Sequence, residues 1–103
     1  LIDCLTLWIN NLMFEAAGGK KALDEDRVRA ETEQVLTAAR EHPGEVIMVT
    51  NEVGLGIVPD NPDARLYRDL IGRCNQCAGI AADRVYLVSC GIPIQIKGNS
   101  HAL

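Results

Sequence analysis

Apolar positions along this chain follow two rhythms. Short unbroken runs end abruptly in polar residues at Leu1-Ile2-Asp3, at Val46-Ile47-Met48-Val49 before Thr50-Asn51-Glu52, and at Val85-Tyr86-Leu87-Val88. Runs of that length read as buried strands, whereas the segments between them repeat at helical spacing. Residues 1–5 are therefore predicted as a strand and 6–17 as a helix carrying Leu7, Trp8, Leu12 and Met13 inward, ended by Gly18-Gly19. After a polar connector, Asp24 is placed to cap a second helix whose stripe is Val28, Thr32, Val35, Leu36 and Ala39, with Arg27, Glu31, Glu33 and Arg40 solvated. Pro43-Gly44 stops it.

A central strand is expected over 45–50, running into a loop that contains Gly54 and Gly56. Asn61 as cap and Pro62 at the first helical position open a third helix, with Tyr67, Leu70, Ile71, Cys74, Ala78 and Ala81 facing inward. A strand over 84–89 then turns at Gly91 into 92–97, where Pro93 marks a sheet edge. Strands joined by helical crossovers imply an α/β fold: an open sheet of four strands, parallel with right-handed connections and one antiparallel edge strand. Such a sheet leaves apolar faces uncovered, so further chain or a partner is expected to cover them.

Composition narrows the class. The 103 residues suit one domain, with 48% apolar and 23% charged residues, the balance of a folded globular protein. A net charge of −4, scattered basic residues and few aromatics argue against a nucleic-acid surface. No apolar run approaches the ~20 residues needed to span a bilayer, and no signal core is evident, so a cytoplasmic setting is expected. The four cysteines, Cys4, Cys74, Cys77 and Cys90, fall within or beside predicted strands and a helix and read as reduced thiols. Because residue 1 already belongs to an apolar strand, the chain reads as part of something longer.

Candidate chemistry gathers at the strand ends. Asp3 has two readings: an acid holding Mg²⁺ or its water shell beside a phosphate, or a cap for the helix near Thr6. Glu52 leaves the central strand beside Asn51, just before glycines that let backbone approach a ligand; a tight turn without a ligand is the alternative. Arg65 and Arg68 lie near the N-terminus of the third helix, where an anionic phosphate is favoured, although solvated surface arginines are common there. Cys74-x-x-Cys77 falls inside a helix with no second ligand pair, which points to structural thiols rather than zinc or redox chemistry. His42 sits at a helix end, positioned to face terminal carbonyls, and His101 lies in a polar tail; neither has a catalytic setting. Gly18-Gly19-Lys20-Lys21 follows a helix and lacks the hydroxyl residue of a phosphate-binding loop.

Three stretches carry a specific resemblance. Residues 1–12, the run Thr50-Asn51-Glu52-Val53-Gly54-Leu55-Gly56-Ile57-Val58-Pro59, and Ala64-Arg65-Leu66-Tyr67-Arg68-Asp69 with Gly72-Arg73-Cys74-Asn75-Gln76 resemble the second half of the bifunctional adenosylcobinamide kinase/adenosylcobinamide-phosphate guanylyltransferases of cobalamin biosynthesis. The resemblance covers about residues 1–97, leaving 98–103 as a polar tail. It implies a P-loop NTPase-like, RecA-like three-layer sheet whose N-terminal part is missing. It also implies phosphoryl transfer from GTP or ATP to the aminopropanol hydroxyl of adenosylcobinamide, then attachment of GMP from GTP through a covalent histidine.

By the same resemblance, Asp3 organises Mg²⁺ through water together with the triphosphate, and Glu52 orients metal water or the acceptor. Asn51 and Gly54 belong to the matching T-N-E-V-G loop, while Arg65 and Arg68 are phosphate or subunit-interface contacts. A homotrimer is implied as well. The family's phosphate-binding loop and nucleophilic histidine lie in its first half, which has no counterpart here, so the 103-residue chain is expected to be inactive alone. The family usually carries an arginine near Cys77, which makes the C-x-x-C spacing incidental. Two other readings are a non-catalytic half-domain that serves self-assembly and a different small-molecule kinase of the P-loop class.

Overall fold

The structure, a computed structural model, describes residues 1–19, 23–53 and 61–98. In chain order the elements are β1 (Ile2–Asp3), α1 (Leu5–Ala17), α2 (Glu25–Glu41), β2 (Met48–Val49), α3 (Pro62–Ala81), β3 (Val85–Ser89) and β4 (Ile92–Lys97). The class is α/β, as the alternation of runs and stripes implies. β1 and β2 pair in parallel, Ile2 with Met48 and Asp3 with Val49, and β3 and β4 form an antiparallel hairpin. The single four-stranded sheet expected from the sequence is not what forms: no ladder joins the two pairs among the described residues. Instead, side chains tie the hairpin and its approach to the rest of the molecule. Arg84 donates to Glu45 at 2.7 Å, tying the approaches to β3 and β2, and Lys97 Nζ donates to the carbonyls of Gly79 and Ile80 at 2.9 and 2.7 Å. Lys97 thereby satisfies carbonyls in the last turn of α3 and places a positive charge at the negative end of its dipole.

Both strands of the parallel pair are shorter than the strands expected over 1–5 and 45–50. α1 already begins at Leu5, so β1 offers β2 only two residues to pair with. The helix boundaries follow from caps. Asp24 accepts from the amide of Arg27 at 2.8 Å, and Asn61 accepts from Asp63 at 2.8 Å ahead of Pro62. Glu25 and Asp26 in the first turn of α2 complement its dipole. The hairpin turns through Cys90 and Gly91 with φ of 55° and 75°, the two-residue geometry whose twist matches antiparallel strands. Gly98, at φ 105°, passes so close to the chain ahead of β3 that an added Cβ would lie 2.5 Å from the Asp83 carbonyl oxygen.

The core lies between the helices. Leu5, Ile9 and Ala16 of α1, Leu23 and Val28, and Leu70, Ile71 and Cys74 of α3 form one buried cluster. Leu36 and Thr32 extend the buried face of α2, whereas Val35 and Ala39 are half-buried. Two expectations change. Leu7 points outward at 56% exposure, because the buried stripe of α1 runs through positions 5, 9 and 16, and position 7 falls on the opposite side of the helix. Arg27 and Glu31 are half-buried rather than fully solvated.

The molecule measures 44 × 34 × 18 Å with a radius of gyration of 14.5 Å, against about 13 Å expected for a closed domain of ~100 residues. Large apolar side chains accordingly remain on its surface, among them Phe14, Ile80, Ile92 and Ile96. Leu70→Ala, which removes a fully buried side chain from the centre of α3, is expected to cost about 2–5 kcal/mol of unfolding free energy. Asp24→Ala, which removes only a cap, is expected to cost about 0.5–2 kcal/mol. Urea unfolding of the two variants checks that order.

Candidate functional site

The parallel pair delivers residues to one edge. Asp3 is the last residue of β1 and is exposed there; Glu52, also exposed, follows the end of the neighbouring β2 by three positions. Asp3 does not cap α1. That role belongs to Cys4, whose Sγ accepts from the amide of Leu7 at 3.4 Å, so the capping reading of Asp3 is set aside. The Asp3-Cys4 peptide is cis.

Asp3 opens onto a groove of about 330 Å³ whose other walls include Leu7, Trp8 and Asn11 of α1 and Val35 of α2. Among the described residues no three His, Cys, Asp or Glu side chains converge as an all-protein metal cage would require. An exposed carboxylate at a strand end suits Mg²⁺ nonetheless, since that ion keeps several waters and takes only one or two carboxylates besides substrate phosphates.

Between the ends of β1 and β2 lies a circuit of hydrogen bonds. The Asn51 amide donates to Thr6 Oγ1 at 3.0 Å, the hydroxyls of Thr6 and Thr50 are 3.3 Å apart, Thr50 Oγ1 donates to Asn75 Oδ1 at 2.6 Å, and Asn75 Nδ2 donates to the Asn51 carbonyl at 3.0 Å. The direction of every bond follows from the backbone. The Asn51 carbonyl can only accept, so the NH₂ of Asn75 must face it and its oxygen must face Thr50. Thr50 then spends its proton on Asn75, which leaves Thr6 to donate to Thr50. Tyr67 adds a bond from α3, its hydroxyl donating to the Thr6 carbonyl at 3.4 Å. Burial first, and then the charge of Cys4, raises the Tyr67 pKa above its ordinary value, consistent with a phenol that keeps its proton to donate.

The remaining sequence candidates separate. Asn51 stands in the circuit through its backbone, Gly54 lies outside the described residues, and Arg65 and Arg68 sit on the first two turns of α3 as placed by the Asn61 cap. His42 accepts the Gly44 amide at Nδ1, 3.0 Å away, so the ring closes a local turn instead of facing helix-terminal carbonyls. His101 is outside the described residues. All four cysteines are free, and Cys74 and Cys77 lie within α3, Cys74 fully buried. Nothing in the sequence marks Thr6, Asn75 or Tyr67 as site residues; Asn75 stands inside a matching stretch, but no local signal identifies its partner.

The comparison with protein families decides the assignment: the model described as cobinamide kinase / cobinamide phosphate guanyltransferase matches residues 1–96. The chain belongs to that family. Similar proteins include the bifunctional adenosylcobalamin biosynthesis protein CobU of Escherichia coli K12, 40% identical over 94% of this chain and 57% of the relative. CobU of Salmonella typhimurium LT2 is 42% identical over 94% and 57%, and CobP of Pseudomonas aeruginosa PAO1 is 38% identical over 95% and 53%. The chain thus spans just over half the length of these relatives. No helix among the described residues is long and apolar enough to cross a membrane.

The thiols give a test of the site's surroundings. Burial is the main reason the Cys74 pKa lies above its ordinary 9.0; the Thr32 hydroxyl offsets part of the rise and Cys77 adds to it. With the folded pKa above the unfolded one, the folded state holds a proton that the unfolded chain releases, so stability from this group is full below pH 9.0 and falls as pH rises through the folded value. Ellman's reagent at neutral pH is expected to titrate exposed Cys90 first and Cys74 only on unfolding. Modification of Cys74 as fast as Cys90 in the Cys4→Ser/Cys77→Ser background would contradict this packing.

Proposed function

We propose that the intact protein phosphorylates adenosylcobinamide with GTP or ATP and then joins GMP from GTP to the new phosphate, giving adenosylcobinamide-GDP. The match of the family model across residues 1–96 carries this reading. In the first step the aminopropanol oxygen bonds to the γ-phosphorus, the bond to the β-phosphate breaks and a nucleoside diphosphate leaves. In the second, GTP guanylylates a histidine with loss of pyrophosphate, and the cobinamide phosphate takes GMP from that histidine.

Within this reading the strand-end edge of the parallel pair faces the nucleotide. Asp3 holds Mg²⁺ through water and orients the triphosphate, while Glu52 orients the acceptor or a metal-bound water. When bound, Mg²⁺ neutralises charge developing on the transferred group. Asn51 and Gly54 let the loop after β2 approach the phosphates, and Arg65 and Arg68 at the positive end of α3 contact phosphate or a neighbouring subunit. The surrounding fold is a P-loop NTPase-like, RecA-like three-layer sheet in which further chain covers the exposed apolar faces, and the protein works as a cytoplasmic homotrimer. The phosphate-binding loop and the nucleophilic histidine come from the part of the family's length that the chain does not span, so the 103 residues alone are inactive.

Asp3→Asn and Glu52→Gln in the intact protein are expected to lower kcat for phosphoryl transfer by about a hundredfold or more, with thermal unfolding unchanged. Full turnover in either variant would remove that residue from the proposed chemistry. Turnover by the purified 103-residue chain would remove the claim that the missing part is essential, whereas recovery on adding a separately expressed N-terminal segment supports it.

A further inference from the structure

We propose that Asn75 and Thr6 are positioning residues that aim Glu52, through a hydrogen-bond circuit that holds the backbone where it leaves β2. This rests on the functional reading of Glu52 given above. The geometry carries it. Thr50 and Asn51 have left the β1–β2 ladder, whose last pair is Asp3 with Val49, so their peptide groups need partners elsewhere. Thr6 takes the Asn51 amide and Asn75 supplies a donor to the Asn51 carbonyl, both at 3.0 Å, so the residue immediately before Glu52 is gripped on its N–H and C=O by two different helices.

Both grips are themselves fixed. Thr6 is 7% exposed between the buried residues Leu5 and Ile9, and Asn75 follows Cys74, which is 0% exposed in the core. With the backbone held at Asn51, Glu52 leaves the strand end from a fixed point, which is the condition for a reacting group kept in register with a substrate.

The circuit's direction separates this role from general packing. Asn75→Asp keeps the shape of the side chain but removes the donor to the Asn51 carbonyl, setting a carboxylate oxygen against it. Thr6→Val keeps the volume but removes the acceptor for the Asn51 amide, while Thr6→Ser retains it. In the intact protein, Asn75→Asp and Thr6→Val are expected to lower kcat roughly ten- to a hundredfold with KM for the nucleotide changed less than about threefold. Thr6→Ser is expected to recover most of the loss seen in Thr6→Val. Hydrogen exchange at the Asn51 amide is expected to speed up by at least about tenfold in Thr6→Val without global destabilisation.

The deciding measurement is a double-mutant cycle. Adding Asn75→Asp to Glu52→Gln should cost little further activity, because the clamp then has no carboxylate to aim. If the two losses multiply as independent effects, or if Asn51 exchange is unchanged in Thr6→Val, the clamp proposal is overturned. If Glu52→Gln by itself leaves turnover intact, the functional reading of Glu52 fails instead, and the exchange experiment still reports on the clamp.

Discussion

The rotation of α3 about its own axis is the constraint on which the rest of this structure depends. Leu70, Ile71 and Cys74 are pressed into the cluster formed with α1 and α2, and burying these three side chains sets which way the helix faces. The neighbouring position is polar. Asn75 therefore leaves the core edge toward the end of β2, and Tyr67, two turns earlier, reaches the start of α1. A hydrophobic stripe that is nonspecific in chemistry thus aims two polar groups with specific geometry. Loosening the stripe would cost stability and also misplace the amide that holds the chain beyond β2.

The parallel pair depends on the same packing. Two residues per strand provide too few ladder bonds to hold a sheet in water, and an isolated pair of that size is not independently stable. What keeps Asp3 beside Val49 is the helix layer behind them, to which Ile2 and Met48 contribute partly buried side chains. The carboxylate at position 3 is held in place from below while its own face stays open to solvent and to the groove alongside Trp8 and Asn11. The surface pair of Arg84 and Glu45 adds little energy in high dielectric, yet it links the approaches to β3 and β2, between which no ladder forms among the described residues.

Local signals are legible in the sequence because their physics is local. Asp24, Asn61-Pro62 and the turn before Ile92 each satisfy or replace backbone groups within a few residues, so type and position are both visible in the string. The cap of α1 is not legible in the string because cysteine is an uncommon acceptor there, and Asp3 one position earlier is the stronger candidate by residue type. Leu7 is apolar by type, yet at helical spacing it falls on the arc that carries Asn10, Asn11 and Glu15, so its outward position follows from periodicity and not from its hydrophobicity. Separation into two strand pairs was hidden too, since strand order depends on contacts distant in sequence. The site divides in the same way: strand ends carrying Asp3 and Glu52 followed from abrupt apolar-to-polar transitions, while Thr6, Thr50 and Asn75, separated by 44 and 25 positions, meet only once the helices pack.

That long-range meeting explains why these residue types stand where they do. A strand must end somewhere, and just past the ladder the backbone N–H and C=O of Asn51 are groups that a purely apolar environment would leave unsatisfied, at a cost of about 1–3 kcal/mol each. Water could serve both groups at an exposed edge, but water does not hold direction. A threonine at position 50 keeps the β-branched shape that suits a strand end and still offers one proton; a second hydroxyl at position 6 passes a proton on and accepts the amide; an amide side chain at position 75 is the group that can accept at one end and donate at the other. Valine at 50 would suit the strand and break the circuit, and aspartate at 75 would suit the volume and lose the bond to the Asn51 carbonyl. The requirement is for two helices to hold the successive peptide groups on either side of one residue, Asn51, and a stretch of chain so held can carry a charged side chain to a fixed place without burying it.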